Sequence, residues 1–261
     1  MFAKLLKHEM KATAASIGLL SLAALGIGVI GGFMMRYLVT AAGSERFEQV
    51  GGIFVLLYVF IFLGLMAYAL GSEIFLNYQF YKRKFTDEGY LTFTLPAHSW
   101  QIFLSSMVNI MIWSVVIGLV TALAFGAIFA IGIIGTPIWQ ELTSQSIAMP
   151  EMDGFLSEYS PVMIAYGIAQ FISSIVVMMT CITLGSVLAK KHKIMAAIGA
   201  YYVWSLIFGM ISTQLLGSAL YASTDFQFTR VYIIETVLQL AVSMGGFLLS
   251  SWLMDKKLNL P

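Results

Sequence analysis

The chain has 261 residues, of which 59% are hydrophobic and 10% are charged, and its formal net charge is +1. Soluble globular domains carry more charge and shorter apolar runs, so this composition excludes an ordinary soluble protein. The single cysteine, Cys181, lies within an apolar run and excludes an intrachain disulfide framework.

Six long apolar runs predict six membrane-spanning helices. About 20 helical residues cross a hydrocarbon core of roughly 30 Å, and lipid offers no partner for an unpaired backbone group. The predicted spans are residues 12–39, 50–76, 102–134, 162–189, 194–221 and 231–254. The first run is longer than the apolar core of a secretory signal peptide, so we expect it to be retained. We therefore predict an all-α integral membrane protein, with residues 1–261 forming a single transmembrane domain.

Residues 1–11 show two interleaved helical periodicities. The apolar set is Phe2, Leu5, Leu6 and Met10, and the polar set is Lys4, Lys7, His8 and Lys11. Such a helix lies in the membrane interface, with its lysines near anionic headgroups, and we predict an interfacial elbow helix over residues 1–11. The alternative is a positively charged amino terminus that only fixes the topology.

Two patterns on the first two spans predict helix packing. Ala24, Gly28 and Gly32 lie four residues apart, and small residues in this spacing let membrane helices approach closely. Packing within the subunit and packing between two subunits are both compatible with this row. Phe54, Tyr58 and Phe62 form an aromatic stripe, which also favours helix packing.

The segment 77–101 interrupts the apolar sequence with FYKRKFTDEGYLTFTLPAHSW at residues 80–100. Thr86 is suited to cap a helix, and the following acidic pair suits its first turn. Pro96 ends the helix after about two turns. Tyr90 and Phe93 share one face, and exposed aromatic side chains on a short helix indicate a docking surface. The alternative is a connector that packs on its own protein.

Polar side chains at membrane depth are candidates for a substrate pathway. They are Asn109, Gln170, Gln214, Glu235 and Gln239. Intramembrane ionisable groups are costly and are functional hypotheses by default. A structural role for Glu235, bonded to an outer loop, is equally compatible with its shallow position. Glu73, near the end of the second span, is interpreted as structural.

The cations indicate the topology. Eleven of the fourteen Lys and Arg residues lie in the amino terminus, the 77–101 loop, the KKHK sequence at 190–193 and the carboxyl-terminal tail. Cationic loops remain in the cytoplasm, so both termini and the 77–101 loop are predicted to be cytoplasmic. The acidic segment 135–161 is then the longest extracellular loop. It either covers an exit and attracts cationic cargo, or is a solvated connection.

The amphipathic start followed by six spans resembles the permease subunit of ABC-2 type exporters, which have the type V fold. FTDEGYLTFTLPAHSWQ, residues 85–101, is similar to the corresponding loop in a bacterial branch of that family. This branch includes exporters of phenol-soluble modulins, which are amphipathic cytolytic peptides, and of antimicrobial peptides.

In that family the loop forms a coupling helix that sits in a groove of the ATPase subunit. The resemblance implies that Thr86 begins this helix and that the ATPase contacts Asp87, Glu88, Gly89, Tyr90, Leu91, Thr92, Phe93 and Thr94. It also implies a second permease copy, most simply a homodimer, and a transport pathway lined by the second span with Phe54, Tyr58 and Phe62. The implied location is a bacterial plasma membrane.

The sequence also bears on the energy source and on the transported substrate. No phosphate-binding G-x-x-x-x-G-K-[ST] sequence occurs, so ATP and Mg are expected on a separate ATPase subunit, with no cofactor or metal bound directly. The apolar, methionine-rich sequence favours amphipathic or hydrophobic peptides as cargo. Membrane lipids are expected partners and nucleic acid is not. The alternatives are a secondary transporter or channel with Glu235 as a proton or ion site, and a non-transporting membrane scaffold.

Overall fold

The computed structural model describes residues 2–41, 44–86, 89, 98–144, 150–189, 191–222 and 225–256. Side chains are described within these ranges except at 45–50, 142, 150–160, 216, 218–222 and 225–228. These ranges are almost entirely helical and contain no strand, which confirms the prediction of an all-α protein.

The described helices are α1 (Phe2–Ala41), α2 (Glu45–Phe85), α3 (Ser99–Ile133), α4 (Pro137–Ser144), α5 (Pro150–Leu188), α6 (Lys193–Ala222) and α7 (Asp225–Lys256). All except α4 contain a segment long and apolar enough to cross a membrane. The protein is therefore a multi-pass membrane protein with six spanning helices among its described residues, as predicted.

The amino-terminal helix differs from the prediction in one respect. α1 runs without a break from Phe2 to Ala41, so residues 2–11 are not a separate element. The first eleven residues contain no glycine or proline, and Lys, Leu and Ala favour an uninterrupted helix. The predicted two faces are present, because Leu5 and Met10 are half-buried whereas Lys4 and Lys7 are exposed.

The segment predicted as the extracellular loop 135–161 contains helical structure. Gly135 adopts φ 78° and ends α3, a left-handed conformation that glycine adopts without strain. The Thr136 carbonyl accepts the first hydrogen bond of α4, from Gln140, and Pro137 occupies the first helical position. α5 then begins at Pro150, before the predicted start of the fourth span, and includes Pro161.

The chain divides into two compact units. The first unit comprises His8–Leu76 and Ile112–Ala148, and the second comprises Met1–Lys7, Asn77–Met111 and Met149–Pro261. In the first unit, Ala24, Leu65, Ala124 and Ile128 form a buried core cluster. A Cβ atom added at Gly28 would lie 2.8 Å from the backbone and side chain of Ala124. α1 and α3 therefore pack closely because position 28 carries no side chain.

The same row continues along α1. A Cβ atom at Gly32 would lie 2.9 Å from the Ala127 carbonyl oxygen, so this second glycine of the predicted row also faces α3. The row packs within the chain. The aromatic stripe lies against the same helices: Phe54 is 4.6 Å from Tyr37 on α1, and Phe62 is 5.6 Å from Phe125 on α3, both between ring centroids.

The second unit is built around α5, which packs against both α6 and α7. Gly185 lies where α5 meets α6, since a Cβ atom there would be 2.5 Å from the backbone nitrogen of Ala197. Between α5 and α7, the Ser250 hydroxyl donates to Thr180 at 3.1 Å, and the Tyr166 and Tyr232 rings are 5.2 Å apart. Contacts near both ends pair residues at a nearly constant offset, so α5 and α7 run parallel and in register.

Candidate functional site: a polar ladder between α5 and α7

Four polar side chains meet between α5 and α7, and we call them the polar ladder: Tyr166, Gln170, Glu235 and Gln239. Tyr166 and Gln170 are one turn apart on α5, and Glu235 and Gln239 are one turn apart on α7. The parallel register sets the two pairs side by side. The sequence predicted Gln170, Glu235 and Gln239 as separate pathway candidates, and the structure brings all three together.

The ladder is connected by hydrogen bonds. The Gln239 amide nitrogen donates to the Gln170 side-chain oxygen. The Tyr166 hydroxyl donates to the Glu235 carboxylate and is also hydrogen-bonded to Gln239. Glu235 is 5% exposed and Gln239 is 0% exposed, whereas Gln170 lies on an exposed face of α5. The ladder therefore extends from a buried carboxylate to an amide at the helix surface.

One acceptor in the ladder has no protein partner. The Gln239 side-chain oxygen is buried and accepts no hydrogen bond from the described residues. A buried acceptor without a donor costs about 1–3 kcal/mol, so it indicates an additional ligand or a functional constraint. Its neighbour Glu235 is a buried carboxylate, which adds to that cost unless a positive charge lies nearby.

The ladder lies in the first half of the membrane-spanning part of α7. That span begins at Thr229, so at 1.5 Å per residue Glu235 is about 9 Å inside it and about 31 Å from its end at Lys256. Small polar groups continue the contact towards that end. A Cβ atom at Gly246 would lie 2.9 Å from the Thr180 hydroxyl, and Ser250 donates to the same hydroxyl.

A cavity of about 590 Å³ opens between α5, α6 and α7 beside this contact. Its walls are almost entirely apolar and include Val177 and Cys181 on α5, Val203 and Trp204 on α6, and Leu249 on α7. A cleft of this size and character accepts hydrophobic side chains or acyl chains.

The opposite end of α7 belongs to a second arrangement, an aromatic platform of Phe80, Phe85, Phe103 and Phe247. Edge-to-face contacts join these rings in series: Phe85 to Phe80 at 5.6 Å, Phe80 to Phe103 at 6.1 Å, and Phe103 to Phe247 at 5.5 Å. The end of α2, the start of α3 and the last third of α7 are thereby packed together.

Polar contacts fasten the same end of the second unit. The Lys193 ammonium, at the start of α6, donates to the Phe85 carbonyl at 3.4 Å. The Ser99 hydroxyl, at the start of α3, donates to the Asp255 carboxylate near the end of α7. The two residues that flank the segment 86–98 are therefore both tied to later helices of the chain.

Most of the predicted docking helix lies outside the described residues: Asp87, Glu88, Tyr90, Leu91, Thr92, Phe93 and Thr94. Two of its predicted residues are described. The Thr86 hydroxyl donates back to the Lys82 carbonyl, and the Gly89 backbone N–H donates to the Thr86 carbonyl at 2.8 Å. Gly89 is buried.

The remaining candidates do not join the ladder. Asn109 is buried on α3 with its side-chain oxygen unpartnered among the described residues, and Gln214 is exposed on α6. Glu73 is half-buried and accepts a hydrogen bond from Ser114 at 3.0 Å in the first unit.

Sequence reasoning missed Tyr166 and the four phenylalanines of the platform. Tyr166 had a recognisable signal, since Tyr166 and Gln170 repeat the four-residue spacing of Glu235 and Gln239. The platform had none, because its rings come from three separate stretches of sequence. Comparisons with protein-family models, curated proteins and solved structures found no match for this chain.

Proposed function

We propose that this protein is the membrane-embedded permease subunit of an ATP-driven exporter, with its ATP and Mg sites on a separate cytoplasmic ATPase of the cassette type. The observation that carries the proposal is the fastening of the segment 86–98 at both ends. A force applied to this segment reaches α2 and α6 through Phe85, and α3 and α7 through Ser99.

Such fastening suits a coupling element. Nucleotide binding to a partner changes the conformation of a permease only if the two conformations bind the partner differently. A segment held loosely would absorb the partner's movement without moving the spans. The platform rings Phe80, Phe85 and Phe103 come from the ends of α2 and α3 that flank the segment, and these buried rings resist local deformation.

The distribution of positive charge supports a cytoplasmic position for this end. Lys82, Arg83 and Lys84 close α2, Lys193 begins α6, and Lys256 closes α7. The contacts of Phe85 with Lys193 and of Ser99 with Asp255 group these cations at one end of the second unit. In a bacterial plasma membrane this end would face the cytoplasm, with both termini on the same side.

Amphipathic or hydrophobic peptides are the cargo we propose. The apolar cavity between α5, α6 and α7 offers space for large hydrophobic side chains, and its lining residues all belong to membrane-spanning helices. A second permease copy would complete the pathway. α2 and α6 are the spans whose most apolar segments are least buried within the chain, which leaves both of them surface for a second copy and for lipid.

The proposal is tested by co-purification. The tagged full chain is purified in mild detergent from the cells that naturally produce it, and co-purifying cassette-type ATPase is identified by mass and quantified. Replacing Tyr90→Asp and Phe93→Asp together should reduce the captured ATPase at least about tenfold, because two buried aromatic anchors at an interface commonly supply that much affinity.

The matched control exchanges the two rings, with Tyr90→Phe and Phe93→Tyr, and should retain capture. Both variants should insert into the membrane at the level of the unmodified chain. Equal capture by the Asp variant and the control would contradict a docking role for this segment.

A second function is favoured by the polar ladder. A buried carboxylate hydrogen-bonded to a tyrosine and flanked by two amides resembles, in its chemistry, the sites that secondary transporters use for protons or ions. In that case the chain would move its substrate without an ATPase, with Glu235 as the coupling site.

A further inference from the structure

Among the described residues, no Lys, Arg or His side chain forms an ion pair with the Glu235 carboxylate, which lies within a membrane-spanning helix. Arg230 is the nearest cation along α7, but five residues correspond to about 140° of rotation, so the two residues are on different faces of the helix. From residue 161 to residue 188, the membrane-spanning part of α5 contains no Lys, Arg or His. On α6 the only cation is Lys193, which contacts Phe85 at the opposite end.

We propose that the polar ladder binds a monovalent cation, either an alkali-metal ion or a primary ammonium group. The site is formed by the oxygens of Glu235, Gln239 and Gln170. This inference goes beyond the exporter proposal and does not depend on it, because it concerns the isolated chain whatever its source of energy.

The ligand atoms present define the class of ion. Besides one carboxylate, the ladder offers the Gln239 oxygen, which has no donor among the described residues, and the Gln170 oxygen, which accepts one hydrogen bond and has a second lone pair. The Tyr166 hydroxyl oxygen is a fourth neutral atom beside them. These are hard oxygen ligands, which suit alkali-metal ions and the N–H groups of an ammonium.

The charge of the site argues against a divalent ion. Divalent cations are usually held by several carboxylates, whereas the ladder has one. Among the described residues, no three His, Cys, Asp or Glu side chains lie close enough to hold a metal together. A single positive charge neutralises Glu235 and leaves the buried site with no net charge, which is the least costly arrangement in a medium of low dielectric constant.

The ladder reaches the surface of the chain at one residue. Glu235 and Gln239 are buried, but Gln170 is on an exposed face of α5 and is directly bonded to Gln239.

The experiment measures the thermal unfolding of the purified full chain in lipid nanodiscs. Chloride salts of Na⁺, K⁺ and methylammonium are compared at constant ionic strength with N-methyl-D-glucamine chloride, whose cation is too bulky for the site. At a concentration about 100 times Kd, the bound cation should raise Tm by about 5–10 °C. The cation that raises Tm most shows whether the site prefers an alkali-metal ion or a primary ammonium group.

Two variants and one control make the test specific. Glu235→Gln should abolish the cation-dependent rise in Tm. Glu235→Asp keeps the charge but shortens the side chain, so the cation concentration that gives half of the rise should increase at least about tenfold. Glu73→Gln removes a carboxylate from a membrane-spanning helix of the first unit and should leave the rise unchanged. If Glu235→Gln fails to fold, the cation-dependent rise in Tm is compared between Glu235→Asp and Glu73→Asp, and only Glu235→Asp should need a higher cation concentration.

Three results would overturn the proposal. One is an equal Tm in all four salts. Another is a cation-dependent rise that survives Glu235→Gln. The third is a Tm that responds to pH but not to the identity of the cation, which would mean that a proton alone neutralises the carboxylate.

Discussion

Both units of the chain use glycines for close helix packing, but they differ in the polar groups that lie between their helices. In the first unit, α1 approaches α3 through glycines at positions 28 and 32, and the core beside them is apolar. In the second unit, α5 and α7 are joined by a tyrosine, a carboxylate and two amides, and further along by Thr180 and Ser250. Close packing of small residues is sufficient to hold membrane helices together, so the polar contacts of the second unit exceed what packing requires.

Among the described carboxylates on membrane-spanning helices, Glu73 of the first unit and Glu235 of the second have different environments. Glu73 is half-buried and accepts a hydrogen bond from Ser114, which suits a structural contact. Glu235 is almost fully buried beside an amide oxygen that lacks a donor among the described residues. An ionisable residue in a membrane span is therefore a functional candidate when it is buried beside unpartnered polar atoms, and its depth in the membrane is not sufficient.

The largest effect is expected where the first unit is most tightly packed. Gly28→Leu should lower the free energy of unfolding by about 1–3 kcal/mol or more, because its Cβ atom alone would meet Ala124 at 2.8 Å. Gly26→Leu is the matched control on the same helix, since a Cβ atom at Gly26 has no neighbour within 4 Å. Thermal unfolding of the two variants in one detergent measures the difference. Equal stabilities would mean that α1 does not pack on α3 at this position.

A smaller effect is expected from the ladder itself. Gln170→Leu and Gln239→Leu each remove one partner of an interhelical hydrogen bond, and the double variant completes a thermodynamic cycle. We expect a coupling free energy of about 0.6 kcal/mol and at most about 1.7 kcal/mol, which are the average and the maximum found for such bonds between membrane helices. The pair Gln170 and Gln214 serves as the control cycle, because Gln214 lies exposed on α6 and should not couple to Gln170. A coupling free energy near zero in the first cycle would mean that the hydrogen bond between Gln239 and Gln170 does not stabilise the contact of α5 with α7.

Local sequence was sufficient to predict the spans and the faces of the helices. Hydrophobicity over about 20 residues is a local property, and so is the alternation of Leu5 and Met10 with Lys4 and Lys7. The predicted elbow residues form the start of α1 rather than a separate element, since nothing in the first eleven residues interrupts a helix. The 135–161 loop was predicted from polarity, which does not distinguish a polar helix such as α4 from an irregular connection.

The ladder and the aromatic platform could not be predicted because each depends on the register between distant helices. Glu235 and Gln239 are separated from Tyr166 and Gln170 by 69 positions, and only the parallel alignment of α5 with α7 pairs them. A shift of one turn would leave all four polar groups in place on their own helices but would separate Gln239 from Gln170. The docking role of Tyr90 and Phe93 stays a prediction, because both lie outside the described residues.

The smallest effect is expected for the transport rate of Glu235→Gln, the variant for which the two proposed functions predict different results. Glu235→Gln removes the negative charge and, with it, the need for a counter-charge, while an amide at this position can still accept a hydrogen bond from Tyr166. An ATP-driven exporter should therefore keep its transport rate within about twofold, since its energy enters through the fastened segment 86–98 at the far end of α7. Transport of an amphipathic peptide out of proteoliposomes that contain the chain and its ATPase, measured from pH 5.5 to pH 8.5, tests this. Glu73→Gln serves as the control for loss of an intramembrane charge. Loss of transport or of its pH dependence in Glu235→Gln alone would favour the ion-coupled carrier, because in such a carrier the carboxylate must gain and lose its cation in every cycle.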